Sequence, residues 1–251
     1  MFPYHDENST LRPPVVVIAL IAVNVLAWLL VQGAGGAMAL ARSVCDLGLI
    51  PGELTGLAEP GSGFWIDEGV ACVTDPGRQA EHVLTSMFMH GGWMHLLGNM
   101  WFLWLFGNNV EDAMTRPRFL FFYLLCGVAA AAAQVWYDPA SVIPMVGASG
   151  AISGVLGAYL LLFPRVRVFV LVPLGIIPFT FALPAWTMLL FWLGSQLVAG
   201  FTGLDQGVAI WAHVGGFAAG LIMARLFARR DRLVAHATGV WHPASRVRGR
   251  W

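Results

Sequence analysis

Ala209–Phe227 reads AIWAHVGGFAAGLIMARLF and carries one formal charge, Arg225, near its end. A run of about 20 apolar residues is long enough to cross the ~30 Å hydrocarbon core of a bilayer as an α-helix. Apolar residues fill consecutive positions here, whereas a barrel strand would alternate. Five further runs read the same way, near Val15–Gln32, Trp93–Val110, Phe119–Trp136, Gly147–Phe163 and Pro184–Gly200. Lipid offers no partner to a backbone amide, so a spanning segment that is not a barrel strand has to be helical. The expected fold is therefore an all-α membrane protein, a bundle of six transmembrane helices. Composition agrees: 58% of the 251 residues are apolar and 11% are charged, against about a quarter charged in a soluble domain.

Between these runs the chain divides simply. Residues 1–14 form a short polar lead ending in Pro13-Pro14, read as disordered. Residues 15–228 hold the six helices, with 33–91 as one long polar loop rich in Gly and acidic residues. Residues 229–251 are a basic tail, read as a disordered strip near anionic lipid. Val168–Leu183 is apolar but interrupted by Pro173 and Pro178, with Pro184 following, and reads as a re-entrant or interfacial segment. A cleavable leader is the rival reading of the first run, because Ala37-Met38-Ala39 resembles a processing site. Against it, the preceding residues are acidic, with Asp6 and Glu7 facing Arg12 alone, and the run is long enough to span.

Net charge is zero and all 14 basic residues are Arg, so no global field draws the chain to nucleic acid. The arginines orient it instead. With the N-terminus in the cytoplasm, inner segments hold twelve arginines and outer segments hold two, Arg42 and Arg78. That bias puts both termini in the cytoplasm and residues 33–91 outside. The expected location is the cell (inner) membrane, as a multi-pass protein.

Polar groups inside membrane spans are costly and are functional candidates by default. Ser149 lies 16 residues from Arg165, and His213 lies 12 from Arg225. Asn99 and His95 lie 12 and 16 residues from Glu111. At ~1.5 Å per residue, all four sit roughly 18–24 Å above the inner face. Three parallel helices thus bring a serine, two histidines and an asparagine to one depth. A serine hydroxyl becomes a nucleophile when a base takes its proton, and histidine is the usual base. Ser149 opens its run, where free N–H groups and the positive end of the helix dipole favour a developing anion. Asn99 and His95 can donate to an oxyanion. Gly147 and Gly150 leave room beside the hydroxyl. Glu111, Asp112, Asp138 and Asp205 map to run ends or loops, so a Ser-His dyad without a carboxylate is expected. Gly150, Gly154 and Gly157 in the fourth run and Gly216 and Gly220 in the sixth predict a close helix crossing that carries His213 to Ser149.

These residues resemble the rhomboid family of intramembrane serine proteases. The matching segments are Gly147-Ala148-Ser149-Gly150, the run from Ala212-His213 through Gly216 to Gly220, and His90 through Asn99, HGGWMHLLGN. Phe106-Gly107 to Glu111 and Pro164-Arg165 add to the likeness, which covers about residues 80–228. The resemblance implies a six-helix bundle with a water-filled cavity opening outward. It implies Ser149 as nucleophile, His213 as general base, and His95 and Asn99 lining an oxyanion hole with the Ser149 N–H. His90 matches a structural position. The implied partners are the lipid bilayer and single-span membrane proteins, cut near the outer part of a helix that unwinds easily, with the fifth helix as a lateral gate. Two positions depart from the pattern. Glu81-His82 stands where many members have Trp-Arg in the first outer loop. Ser153 stands where some members place an aromatic that stacks on the base, so another group has to position His213.

Blander readings sit beside these. A lone serine in a membrane helix ordinarily packs or bonds back to a carbonyl, and it is the level of His213 that singles out Ser149. His90 and His95 are five apart, on different faces of a helix, and no HExxH is present, so neither a metal nor any other cofactor is expected. Cys126 reads as a small core residue. Cys45 and Cys72 fall on the oxidising face, where a disulfide closing the first loop is one reading and two free thiols the other. The alternative functional class is a non-catalytic rhomboid-like protein that binds transmembrane clients, against which stands the presence of both Ser149 and His213. A small transporter is a third class, but internal repeats and paired intramembrane charges are missing from the sequence.

Overall fold

The computed structural model describes residues 2–59, 61–67, 70–74, 77, 79–174, 177–203 and 208–238. The order is β1 (Phe2–Asp6), α1 (Val15–Leu30), α2 (Ala37–Leu47), α3 (Pro51–Thr55), β2 (Gly63–Asp67), β3 (Val70–Val73), α4 (His82–Thr85), α5 (Trp93–Ala113), α6 (Arg116–Tyr137), α7 (Ser149–Leu162), β4 (Arg167–Leu174), β5 (Ile177–Pro184), α8 (Ala185–Thr202), α9 (Ile210–Phe227) and α10 (Arg230–Thr238). Helices α1 and α5 to α9 fall on the six apolar runs. Among the described residues, α6, α8 and α9 are long and apolar enough to cross a membrane by length and composition, and α1 and α7 are apolar but shorter. Helix α5, 21 residues long, ends in the charged pair Glu111-Asp112.

The centre of the bundle is α7, whose residues Gly150 to Tyr159 are all buried. A helix apolar all round belongs in an interior. Its glycines set how close its neighbours come. A Cβ on Gly220 of α9 would overlap the Gly154 carbonyl, and one on Gly216 would overlap the Gly150 carbonyl. A Cβ on Gly157 would overlap the Phe217 carbonyl. The two backbones therefore touch directly, as small residues allow between helices in lipid. Helix α8 is the opposite case. Only Ala185, Met188 and Leu189, at its start, are buried.

Strands correct the all-α expectation. The described residues of Val168–Leu183 form the antiparallel pair β4–β5, with Val168 opposite Leu183 and Pro173 opposite Pro178. Proline cannot serve a helix interior, and the β-branched and aromatic residues VFV and FTF suit a pleated surface. Nor is the N-terminal lead disordered. β1 pairs with β4, Pro3 opposite Val170, completing a sheet of order β1-β4-β5. This sheet follows the C-terminal end of α7 and so lies at the far end of that helix from Ser149. A small hairpin, β2–β3, lies in the loop before α5, which also folds α2, α3 and α4. After Arg229 the chain is helical to Thr238, and the remainder of the basic tail, 239–251, lies outside the described residues.

Buried polar groups fasten the first residues. Helix α1 follows Pro13-Pro14 and has no side-chain cap of its own. Glu111 of α5 supplies one, accepting from Val16 N at 3.1 Å and Val17 N at 2.8 Å. Asp112 accepts from Leu11 N at 2.7 Å and pairs with Arg12 at 2.9 Å. Asp6, the last residue of β1, is buried and accepts from Tyr159 Oη at 2.5 Å and Asn109 Nδ2 at 3.0 Å. Burial holds its carboxyl above the ordinary value of 3.8, with the Tyr159 hydrogen bond opposing.

Two predictions concern stability. Gly220→Ala destabilises the fold by at least the ~1–3 kcal/mol of an overpacked core, and so lowers the thermal midpoint in detergent followed by circular dichroism. Gly194→Ala does not lower it, because a Cβ there meets nothing within 4 Å and alanine favours a helix interior. Second, the folded chain binds the Asp6 proton more tightly than the unfolded chain does. The contribution of this group to stability therefore falls as pH rises from about 4 through the raised value. The unfolding midpoint should decline over that interval, and Asp6→Asn should flatten the decline.

Candidate active site

Ser149 is the first residue of α7 and follows a backbone corner at Gly147. Gly147 has φ +126°, and a Cβ there would lie 2.7 Å from His95 Nε2, so both conformation and space require glycine. Its N–H donates to Ser86 O at 2.9 Å, which ties the start of α7 to the loop before α5. Ser149 adjoins Gly150, and His213 lies one turn before Gly216 on α9. The backbone contact between Gly150 and Gly216 therefore decides how far apart the two side chains stand. Ser149 Oγ is 2.8 Å from His213 Nε2.

The other face of the imidazole is held by α8. Gln196 Oε1 lies 2.7 Å from His213 Nδ1, and the Trp192 ring lies 6.0 Å from the imidazole, tilted by 41°. Ser153, in place of an aromatic, donates to the Ser149 carbonyl at 2.7 Å. Gln134 of α6 accepts from Ala212 N at 3.2 Å and steadies the first turn of α9.

His95 and Asn99 come from the first two turns of α5. Gly91 N donates to His95 Nδ1 at 3.3 Å. That makes Nδ1 the acceptor and leaves the ring proton on Nε2, the atom beside Gly147. Asn99 is buried, and its Nδ2 has no hydrogen-bond partner among the described residues. A buried donor left open is costly and calls for an explanation. Ser149, His213, His95, Asn99, Gly147 and Gly150 all line one cavity of about 770 Å³. Gly216 and Gly220 lie in the α7–α9 contact.

His90 stands behind His95, the two rings edge to face at 5.1 Å. Its backbone is clamped by the carboxamide of Gln32, just past α1. Gln32 Nε2 donates to His90 O and His90 N donates to Gln32 Oε1, both at 2.8 Å. Cys45 of α2 and Cys72 of β3 are joined with S–S 2.05 Å, and neither lines the cavity. At the first departure from the family pattern, His82 is buried and Glu81 precedes the short helix α4. Among the described residues, no group of three His, Cys, Asp or Glu side chains is placed to hold a metal.

Gln32, Gln134, Trp192 and Gln196 were not among the residues singled out by sequence. The signal was present in Gln196, a carboxamide inside an apolar run, under the same rule that marked Asn99.

The rhomboid domain model matches residues 77–230. The chain belongs to the rhomboid family. It is 30% identical over 145 residues to "Rhomboid protein 1, mitochondrial" of Saccharomyces cerevisiae, covering 56% of this chain and 40% of the yeast protein. It is 41% identical over 78 residues to "Rhomboid protease GluP" of Bacillus subtilis, 31% of this chain and 15% of that one. It is 36% identical over 148 residues to "Rhomboid-like protease 5" of Toxoplasma gondii, 56% of this chain and 15% of that one. The matched part is less than half the length of each of these relatives. The rhomboid family holds proteases and protease-like members, and this member is membrane-embedded.

The Gln32 clamp makes a further prediction. Gln32→Leu strands the buried N–H and C=O of His90 at about 1–3 kcal/mol for each unsatisfied group. The thermal midpoint in detergent should fall accordingly.

Proposed function

We propose that this rhomboid is an intramembrane serine endopeptidase that cleaves single-span membrane proteins within or near the outer part of their transmembrane helix. The observation that carries the reading is the 2.8 Å contact between Ser149 Oγ and His213 Nε2 in a cavity within a membrane-embedded bundle. Six spans, α1 and α5 to α9, form the protease domain at 15–228. Residues 33–91 face outward and both termini are cytoplasmic, in a cell membrane. The Cys45–Cys72 pair on the 33–91 loop supports that orientation, because disulfides persist on oxidising faces.

The reaction follows from the atoms present. His213 Nε2 takes the Ser149 proton as Oγ attacks the scissile carbonyl carbon. Charge develops on the carbonyl oxygen beside the first N–H groups of α7, among them the Ser149 amide. His95 Nε2–H and Asn99 Nδ2 are two further donors, and the open valence of Asn99 Nδ2 supports that role. His213 then returns the proton to the departing amine, leaving an acyl group on Ser149. Water attacks the ester with His213 again as base, and the acid product leaves. Gly147 and Gly150 keep the approach free of side chains, and Gly216, Gly220 and His90 support the positions of His213 and His95.

The alternative is a non-catalytic rhomboid that binds transmembrane clients in the same cavity. One experiment separates the two. Purified protein is reconstituted in liposomes with a model single-span substrate, beside Ser149→Ala, His213→Ala and Asn99→Ala. Wild type is expected to cut, both dyad variants to lose cleavage while remaining folded, and Asn99→Ala to lose at most ~2.7–4 kcal/mol of transition-state stabilisation. Cleavage surviving Ser149→Ala sinks the serine mechanism, and a wild type inert toward several substrates favours client binding.

A further inference from the structure

We propose that Gln196 is the positioning residue of the His213 base, doing with a neutral carboxamide what a carboxylate does in a triad. The proposal rests on the serine protease reading above. A neutral imidazole has one N–H and one lone pair. For Ser149 Oγ to give up its proton, the lone pair has to sit on Nε2, the atom 2.8 Å away. The proton then sits on Nδ1, and a ring N–H within the bundle needs an acceptor. Gln196 Oε1 is at 2.7 Å from Nδ1. The wrong tautomer points an N–H at Ser149 and cannot act as base, as the loss of activity in triads with a mispositioned proton illustrates.

The carbonyl serves both stages of the reaction. In the resting site it accepts from Nδ1–H and holds the ring plane. Once His213 carries a second proton, the same Nδ1–H keeps donating to Oε1, whose partial negative charge faces the imidazolium. An ionised carboxylate at this depth would carry a large desolvation cost in the resting state, whereas a carboxamide is neutral throughout. Trp192 lies one turn earlier on α8, and its ring closes against the same imidazole. Both restraints on the base thus come from a single helix, and that helix is buried only at its start. The Ser153 hydroxyl, on α7, donates to the Ser149 carbonyl and not to the ring.

The test uses the full-length protein in liposomes with a single-span substrate. Gln196→Met keeps size and removes the acceptor, and Gln196→Glu keeps an acceptor oxygen. Gln196→Met is expected to lower kcat on the order of 10- to 100-fold, a part of the ~10²–10⁴ supplied by a positioned base. KM should stay within about twofold, since substrate binding is untouched, and Gln196→Glu should recover activity relative to Gln196→Met. A second readout does not require turnover. Nitrogen NMR of histidine-labelled protein should show His213 protonated at Nδ1 in wild type and a mixed tautomer in Gln196→Met. An unchanged kcat in Gln196→Met, or an unchanged His213 tautomer, overturns the proposal. A wild type that cleaves nothing while its tautomer still depends on Gln196 removes the protease reading and leaves the positioning of His213 by Gln196 in place.

Discussion

Where α7 and α9 cross, carbonyl oxygens of one helix lie in the space that side chains of the other would fill. Gly150, Gly154 and Gly157 face Gly216, Phe217 and Gly220 with no Cβ between the backbones. Lipid supplies no hydrophobic force to press two helices together, so close packing has to hold the pair. Everything at the site inherits its distances from this contact. Ser149 is one residue from Gly150, and His213 one turn from Gly216. A 2.8 Å separation between two side chains 64 positions apart needs that backbone proximity.

Charge is sorted by depth. The carboxylates of Asp6, Glu111 and Asp112 gather beyond the far end of α7 from Ser149, where they accept from backbone amides, Tyr159, Asn109 and Arg12. Around Ser149 the polar groups are hydroxyl, imidazole and carboxamide, with no carboxylate among the residues lining the cavity. The low dielectric of a spanning segment penalises a permanent charge far more than a dipole. The same economy explains two glutamines doing structural duty, Gln32 on the His90 backbone and Gln196 on the His213 ring. A carboxamide offers both a donor and an acceptor, so one side chain can close both open valences of a peptide unit.

The two halves of the site are held differently. The side carrying His95 and Asn99 is anchored by α5, the Gln32 clamp and the Gly147–Ser86 hydrogen bond. The outer face of the His213 ring rests on Trp192 and Gln196 of α8, a helix with little of its length buried.

Much was legible without coordinates, because the bilayer imposes strong rules on sequence. The six apolar runs became the helices α1 and α5 to α9 within a few residues, because long runs of consecutive apolar residues suit helices and not alternating strands. Ser149, His213, His95 and Asn99 stood out because polar groups are rare in such runs, and glycines at helical spacing marked which helices meet. Strands β1, β4 and β5 were not legible. They lie beyond the end of α7, where an extended chain finds partners in another chain segment, and pairing between residues 2–6 and 167–174 leaves no periodic trace in either. The grip of Gln196 on His213 and of Gln32 on His90 was hidden for a related reason. Sequence states that a carboxamide is present and costly at a given depth. Which polar atom it faces depends on the rotation and tilt of each helix, and those are set by packing against the whole bundle.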